Sequence, residues 1–312
     1  KEKILYSANA ENNDSAVSNA KRVNTVNLVC CKNVEIDGIT IRDSLLYNVD
    51  AVSCENVFIN NIKIIGCWRF NTDGVHFVNC VNSSLTNSFL RTYDDSICVR
   101  GFANYDYARF LNDEKEEDLS FVCCNITVKN CVVWNDWGKN LQVGTETFAK
   151  EIKNVRFENC KLIHTTGQAI TIWLVDNAKI HDVEFCDIFV EYDDYMMKNS
   201  IQKNDADIYT DLYDADHGGD LINFFVHKHF EYSLIKKEEE LGEINGVLLQ
   251  NVRLYSVQKP CFTFVGDNPN SMCKNIRLEG IYWDDELISR ELFEKQTIKN
   301  EFVKDVILVN ND

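Results

Sequence analysis

The sequence predicts an all-β fold, a right-handed single-stranded parallel β-helix, and three observations predict it. The first is a degenerate phrase that recurs along the chain: a small or apolar residue, any residue, then Asn, Asp or Gly, followed by alternating apolar positions broken by a second Asn or Gly. It reads CKNVEIDGITI from Cys31, CENVFINNIKI from Cys54, CVNSSLTNSFL from Cys80, CCNITVKNCVV from Cys123 and IKNVRFENCKL from Ile152. It continues as IHDVEFCDIFV from Ile180, INGVLLQNVRL from Ile244, CKNIRLEGIYW from Cys273 and VKDVILVNND from Val303. The second observation is strand number. Each copy divides into two short strands hinged at an Asn- or Gly-containing corner, and each follows another short alternating run, such as Asn48 to Val52, Val75 to Val78 or Ile97 to Val99. The third is spacing: uninterrupted copies lie 23 to 30 residues apart, with no helix-period segment long enough to alternate with the strands. Three strands per repeat at that period describe a β-solenoid, and the Leu spacing of the rival leucine-rich repeat is missing.

Taken in order, Lys1 to Arg22 are polar and weakly patterned and read as a truncated earlier coil. From Cys31 onward the Cys and Ile that open successive copies are expected to stack as ladders inside the coil. Two intervals are too long for the period and are expected to leave it as loops, about 103–118 (charged and aromatic) and about 192–220. The strand-like LINFFV and a charged run, KKEEELGE, come next, and Asp284 to Lys299 reads as a short helix or loop before the last copy. The whole, residues 1–312, is expected to be a single β-helix domain.

Composition narrows the function. A hydrophobic fraction of 45% supplies a core, while 2 prolines and 13 glycines in 312 residues argue against disordered and collagen-like chains. No apolar run approaches a membrane span, so no membrane is expected as partner. A formal charge of −17 excludes nucleic acid as an expected partner, because phosphate binding needs clustered Lys and Arg, and disfavours a polyanionic glycan more weakly. The 13 cysteines are odd in number and recur at one phrase position, so they read as buried free thiols and point to a cytoplasmic or anaerobic extracellular setting. The chain opens at Lys1 with neither an initiator Met nor a signal segment, so a fragment or processed form is expected and localisation stays open.

The chemistry concentrates in residues 68–100, WRFNTDGVHFVNCVNSSLTNSFLRTYDDSICVR. Asp73 precedes one alternating run and the pair Asp94 and Asp95 another. If the runs are neighbouring strands, Val75 aligns with Ile97 and Asp73 with Asp95, and three carboxylates share one patch at about 4.8 Å per strand. Like charges that close raise at least one pKa, so one group stays protonated as an acid while others act as bases. Glycosidic bond cleavage has that electrostatic requirement. The same Asp-Asp and Asp-Gly pairs also serve as ordinary turn residues.

The run RDSLLYNVDAVSCENVFINNIKI from Arg42, NTDG at 71–74 and DDSICVRG from Asp94 together resemble the polygalacturonase-type glycoside hydrolases of family 28, whose pattern is RDSP, NTDG, GDD, GHG and RIK. Family 49 dextranases and isopullulanases share the fold and the aspartates and are similar here. The resemblance is detailed from Leu28 to Val190. It implies inversion by direct displacement, with Asp94 as general acid, Asp73 and Asp95 activating the water, a poly- or oligosaccharide substrate, and neither metal nor other cofactor. By position it also implies that Asn71 and Arg100 contact substrate.

Two departures stand out. Where the family has GHG this chain has Gly138-Lys139-Asn140, so Lys139 is expected to orient the acid carboxylate or bind a sugar hydroxyl. RIK aligns with Ala169, Ile170 and Thr171, which removes the cations that would hold a uronate carboxylate, and an unpaired carboxylate is costly to bury. A neutral α-linked glycan is therefore expected, with pectin as the alternative. Trp68, Trp134, Trp137 and Trp173 lie beside the site strands as candidate sugar platforms, Thr171 lines the same stretch, and Asp220, with His217 near it, precedes its strand as Asp73 and Asp95 precede theirs. Two other functions compete: a non-catalytic carbohydrate-binding β-helix, which has no use for the three aspartates, and a Ca²⁺-dependent polysaccharide lyase, which the missing cation pair disfavours.

Overall fold

The computed structural model describes residues 23–67, 71–102, 121–192, 199–201, 210–213, 220–229, 233, 235 and 239–310. Lys1 to Arg22, Trp68, the 103–118 interval and His217 lie outside the described residues. Within 192–220 the described Asn199–Ile201 and Thr210–Tyr213 pair as an antiparallel ribbon.

The fold is the expected parallel β-helix. One sheet stacks nine strands in chain order: Val26–Val29, Val49–Val52, Val75–Val78, Ile97–Gly101, Leu141–Thr147, Ile170–Leu174, Asp220–Val226, Cys261–Val265 and Thr297–Lys299. Every pairing in it is parallel. The recurring phrases build the second sheet, which wraps the rest of each turn. Early phrases give two strands, as in Glu55–Asn60 and Lys63–Ile65, whereas later ones run through the corner as one bent strand, as in Glu151–Thr165 and Lys179–Tyr192.

The backbone explains the phrase. Its third residue is left-handed at Asn33, Asn56, Asn82, Asn125, Asn154, Asp182, Gly246, Asn275 and Asp305, and its eighth at Gly38, Asn61, Asn87, Asn130, Asn159, Asp187, Asn251 and Gly280. Only Gly, Asn and Asp adopt that conformation routinely, so the chain spends them at its two bends. The exposed amides then bond from turn to turn: Asn125 Nδ2 donates to Asn82 Oδ1 at 2.7 Å and Asn154 Nδ2 to Asn125 Oδ1 at 3.0 Å.

Between the bends every second residue points inward. The sixth phrase position forms the unbroken inner ladder Ile36, Ile59, Leu85, Val128, Phe157, Phe185, Leu249, Leu278 and Leu308. Phe157 and Phe185 stack with centroids 4.9 Å apart and planes 2° from parallel. The first phrase position gives the second ladder, in which Cys123, Ile152, Ile180, Ile244, Cys273 and Val303 are successive register partners. All 13 cysteines are free, and burial pushes the Cys123 thiol up to about 12, in keeping with a small apolar filler. Near the C-terminus Ser289 caps the helix Arg290–Gln296, whose Phe293 packs on Phe262 with centroids 5.0 Å apart. No helix among the described residues is long and apolar enough to cross a membrane.

Candidate active site

The site lies where the strands of the nine-stranded sheet begin, two residues before Val75, Ile97, Leu141 and Ile170 and at the first residue of Asp220–Val226. Backbone hydrogen bonds from Gly74 to Asp95 (2.9 Å), Ser96 to Lys139 (2.7 Å), Asn140 to Gln168 (3.0 Å) and Ala169 to Asp220 (3.3 Å) put Asp73, Asp95, Lys139, Gln168 and Asp220 on one ladder. Val75 pairs with Ile97, the register that the alternation predicts. Close stacking at this corner requires glycine. A Cβ on Gly138 would lie 2.6 Å from both Asp94 C and Asp95 N.

Asp94, Asp95 and Asp73 are all buried, and their partners differ. Asp94 receives the Asn71 N–H at 2.8 Å and the Asp95 N–H at 2.9 Å. Burial, then the charges of Asp73 and Asp95, push its carboxyl well above the ordinary carboxylate value. Asp95 Oδ1 takes the Lys139 N–H at 3.0 Å and Lys139 Nζ at 3.5 Å, and Arg100 reaches its Oδ2 at 3.5 Å. Burial alone would raise Asp95, but Lys139 and Arg100 outweigh it and hold the group below its ordinary value. Asp73 lies 3.5 Å from Arg100 and 3.0 Å from His76 Nε2, and burial followed by the charge of Asp95 holds it well above the usual range. Neighbouring carboxyls are thus shifted in opposite directions, Asp94 up and Asp95 down, by different partners.

A second set of side chains fixes the backbone beneath them. Asn135 Nδ2 donates to the Asp94 carbonyl at 2.8 Å and to Ser96 Oγ at 3.0 Å, and Thr92 Oγ1 donates to the same carbonyl at 2.8 Å. These three, with His76 and with Glu146, which meets Arg100 at 3.2 Å, were not singled out by the sequence. His76 alone carried a trace of its role, as the one ionisable residue inside the apolar run VHFV.

The remaining candidates separate by environment. Asn71 contributes its backbone N–H to Asp94. Arg100 is buried and occupied by Asp73, Asp95 and Glu146, so it organises carboxylates where contact with sugar was expected. Lys139 binds Asp95, not Asp94, and its Nζ sits 4.5 Å over the Trp173 ring. Trp173 also donates Nε1 to Asn223 at 3.3 Å. Trp137 stacks on Tyr93 with centroids 5.9 Å apart. Trp134 is no platform: the Arg91 guanidinium, 4.2 Å away, covers one face and the His164 ring, 4.0 Å away, the other. Thr171 is fully buried, 3.4 Å from Gln168 Oε1, and Ala169 belongs to the core. Asp220 is half-buried one turn beyond Gln168 and accepts from Asn223 at 3.3 Å. Among the described residues Asp73, His76 and Cys98 bring ligand-type atoms within 4.8 Å of one another, but Arg100 stands 3.5 Å from both Cys98 Sγ and Asp73 Oδ2, where it opposes a metal cation.

Comparison with known proteins follows this geometry. A hyperthermoactive exopolygalacturonase from Thermotoga maritima has a similar fold, with a TM-score of 0.63 at 17% identity over 92% of this chain and 55% of that one. A polygalacturonase from Erwinia carotovora ssp. carotovora gives a TM-score of 0.60 at 13% identity over 91% of this chain and 59% of that one. The chain therefore spans somewhat over half the length of these proteins. No curated protein sequence matches it. The profile of Glycosyl hydrolases family 28 matches residues 6–194, more than half of the sequence and including all three aspartates, and by that match the chain belongs to glycosyl hydrolase family 28.

Proposed function

We propose that this glycoside hydrolase cleaves its substrate with inversion in one displacement, Asp94 protonating the leaving oxygen while Asp95, assisted by Asp73, takes the proton of the attacking water. The observation that carries the reading is the different set of partners on two adjacent carboxyls, backbone N–H groups on Asp94 and the cations Lys139 and Arg100 on Asp95, which shift the first up and the second down. A carboxyl that keeps its proton more tightly than usual beside one that releases it more readily is what such a displacement needs. Polygalacturonate is the first substrate to test, since both fold relatives are described as polygalacturonases. In this reading Lys139, beside Asp95 with its side chain 19% exposed, meets the uronate carboxylate.

A second reading, a neutral α-linked glycan, draws support from buried Ala169 and Thr171 at the positions aligned with the family's cations, and from Lys139 and Arg100 being already committed to aspartates. Initial rates of reducing-end release on polygalacturonate, α-glucans and α-galactosides under matched conditions decide between them. Proton NMR of the first product then reads the anomer. Retention of configuration, or cleavage at the parental rate by Asp94→Asn, refutes the mechanism.

A further inference from the structure

We propose that His76 is a positioning residue for Asp73, an uncharged imidazole that binds one carboxyl oxygen and so fixes how that carboxyl is turned beside Asp95 and Arg100. The inference rests on the hydrolytic reading above. His76 lies in the strand Val75–Val78 with Asp50 and Cys98 as register partners, and its side chain is fully buried. Its Nε2 is 3.0 Å from Asp73 Oδ2, whereas Nδ1 is 3.7 Å from Asp50 Oδ1, beyond hydrogen-bond range. A neutral ring has one N–H, and in this proposal it is on Nε2, the nitrogen that meets Asp73, and donates to the ionised carboxyl that the mechanism uses. Burial, then the charge of Arg100, keep the ring neutral by lowering its pKa to about 3, against the opposing pull of Asp50, Asp95 and Glu146. The Tyr47 ring, 4.3 Å away, fixes its tilt.

The consequence is directional. Asp73 and Asp95 share Arg100, but Asp95 has two further bonds from Lys139, while Asp73 has His76. Asp73 Oδ1 is buried and accepts no hydrogen bond from the described residues, so His76 on Oδ2 determines how the carboxyl is turned. Without the ring, the carboxyl is free to turn toward Arg100.

The test uses His76→Leu, which keeps bulk without a donor, and His76→Gln, which returns an N–H near the place of Nε2. On the glycan that the parent cleaves fastest, we expect His76→Leu to lower kcat by about 10- to 100-fold with KM changed less than about threefold, the scale of a misoriented catalytic group. Loss of the donor disfavours the Asp73 carboxylate, so the acid limb of the kcat profile should move to higher pH. The groups facing the ring in that profile are Asp50, Asp73, Asp95, Arg100, Glu146, Tyr47 and Cys98. His76→Gln should recover about tenfold over His76→Leu and return the limb toward the parent. A folded His76→Leu protein with parental kcat and acid limb overturns the proposal, as does a His76→Gln protein no faster than His76→Leu. If His76→Leu does not fold, His76→Gln alone decides: a kcat within about tenfold of the parent with an unmoved KM supports the role, and a larger loss overturns it. Failure of the hydrolytic reading looks different, since the parent then cleaves nothing or Asp94→Asn remains active.

Discussion

At the scale of residues, the site holds one group that folding tolerates and one that it uses. Asp94 has a folded pKa raised above its ordinary 3.8. Its charged form is therefore disfavoured by folding, and it subtracts stability progressively as pH rises from that value through the folded pKa. Asp95 has a depressed folded pKa, so its contribution is present above 3.8 and disappears as pH falls through the folded value. We therefore expect Asp94→Asn to lower kcat by about 10²- to 10⁴-fold while raising Tm at pH 7, by roughly 2 to 4 °C per kcal/mol for a chain of this size. Asp95→Asn should lose activity and Tm together, because it leaves Lys139 and Arg100 buried beside a neutral amide. Thermal melts at pH 7 and pH 4 separate the two, and a fall in Tm for Asp94→Asn would contradict the assignment. The three aspartates were legible in the sequence because NTDG and DD sit at fixed places before alternating runs. Asn135 and Glu146 were not, because each acts across the register of two turns, nor were the local contacts of Thr92 with the Asp94 carbonyl and of His76 with Asp73, because spacing alone does not say which oxygen a side chain reaches.

At the scale of elements, the recurring phrase made the strands and their parallel pairing legible before any coordinates. Two details escaped it. The third phrase residue is a bend as sharp as the eighth, and the later corners do not interrupt their strands, since a single left-handed residue turns the chain while the ladder continues on both sides. This yields a test at Asn125, whose φ is 58° and whose amide joins Asn82 to Asn154. Asn125→Ala should cost about 1 to 2 kcal/mol in conformation, with a further contribution from two interrupted amide bonds. Asn125→Gly keeps the bend and loses only the bonds, so its midpoint in denaturant should lie between those of the parent and of Asn125→Ala. Equal midpoints for the two variants would mean that backbone strain is not what the phrase encodes. The 103–118 interval and the first 22 residues lie outside the described residues, and the antiparallel ribbon described within 192–220 falls in a sequence that, charged and without period, carries no pairing rule to read.

At the scale of the molecule, a formal charge of −17 surrounds a site whose acids, Asp73, Asp94, Asp95 and Glu146, outnumber its cations, Lys139 and Arg100. A polyanionic chain approaches such a surface against a repulsion that salt screens over a Debye length of about 10 Å at 0.1 M. If polygalacturonate is the substrate, kcat/KM should rise between low and moderate ionic strength while kcat stays level. On a neutral glycan neither should move. Progress curves at a series of NaCl concentrations measure this, and a fall in kcat/KM for polygalacturonate would show that local cations at the cleft, Lys139 first among them, outweigh the field of the whole protein.

The ladder of Asp73, Asp95 and Lys139 draws one residue from each of three successive turns, with the glycine of the third laid against the backbone of the second. In the proposed mechanism catalysis then belongs to the stack and to no turn within it. Copying a turn would lengthen the body without producing a second such site, and deleting any of these three would remove the proposed one. A lineage of such chains is free to grow or shrink at its ends while its centre stays fixed in length, and enzymatic activity doubles as a gauge of whether those central turns are in register.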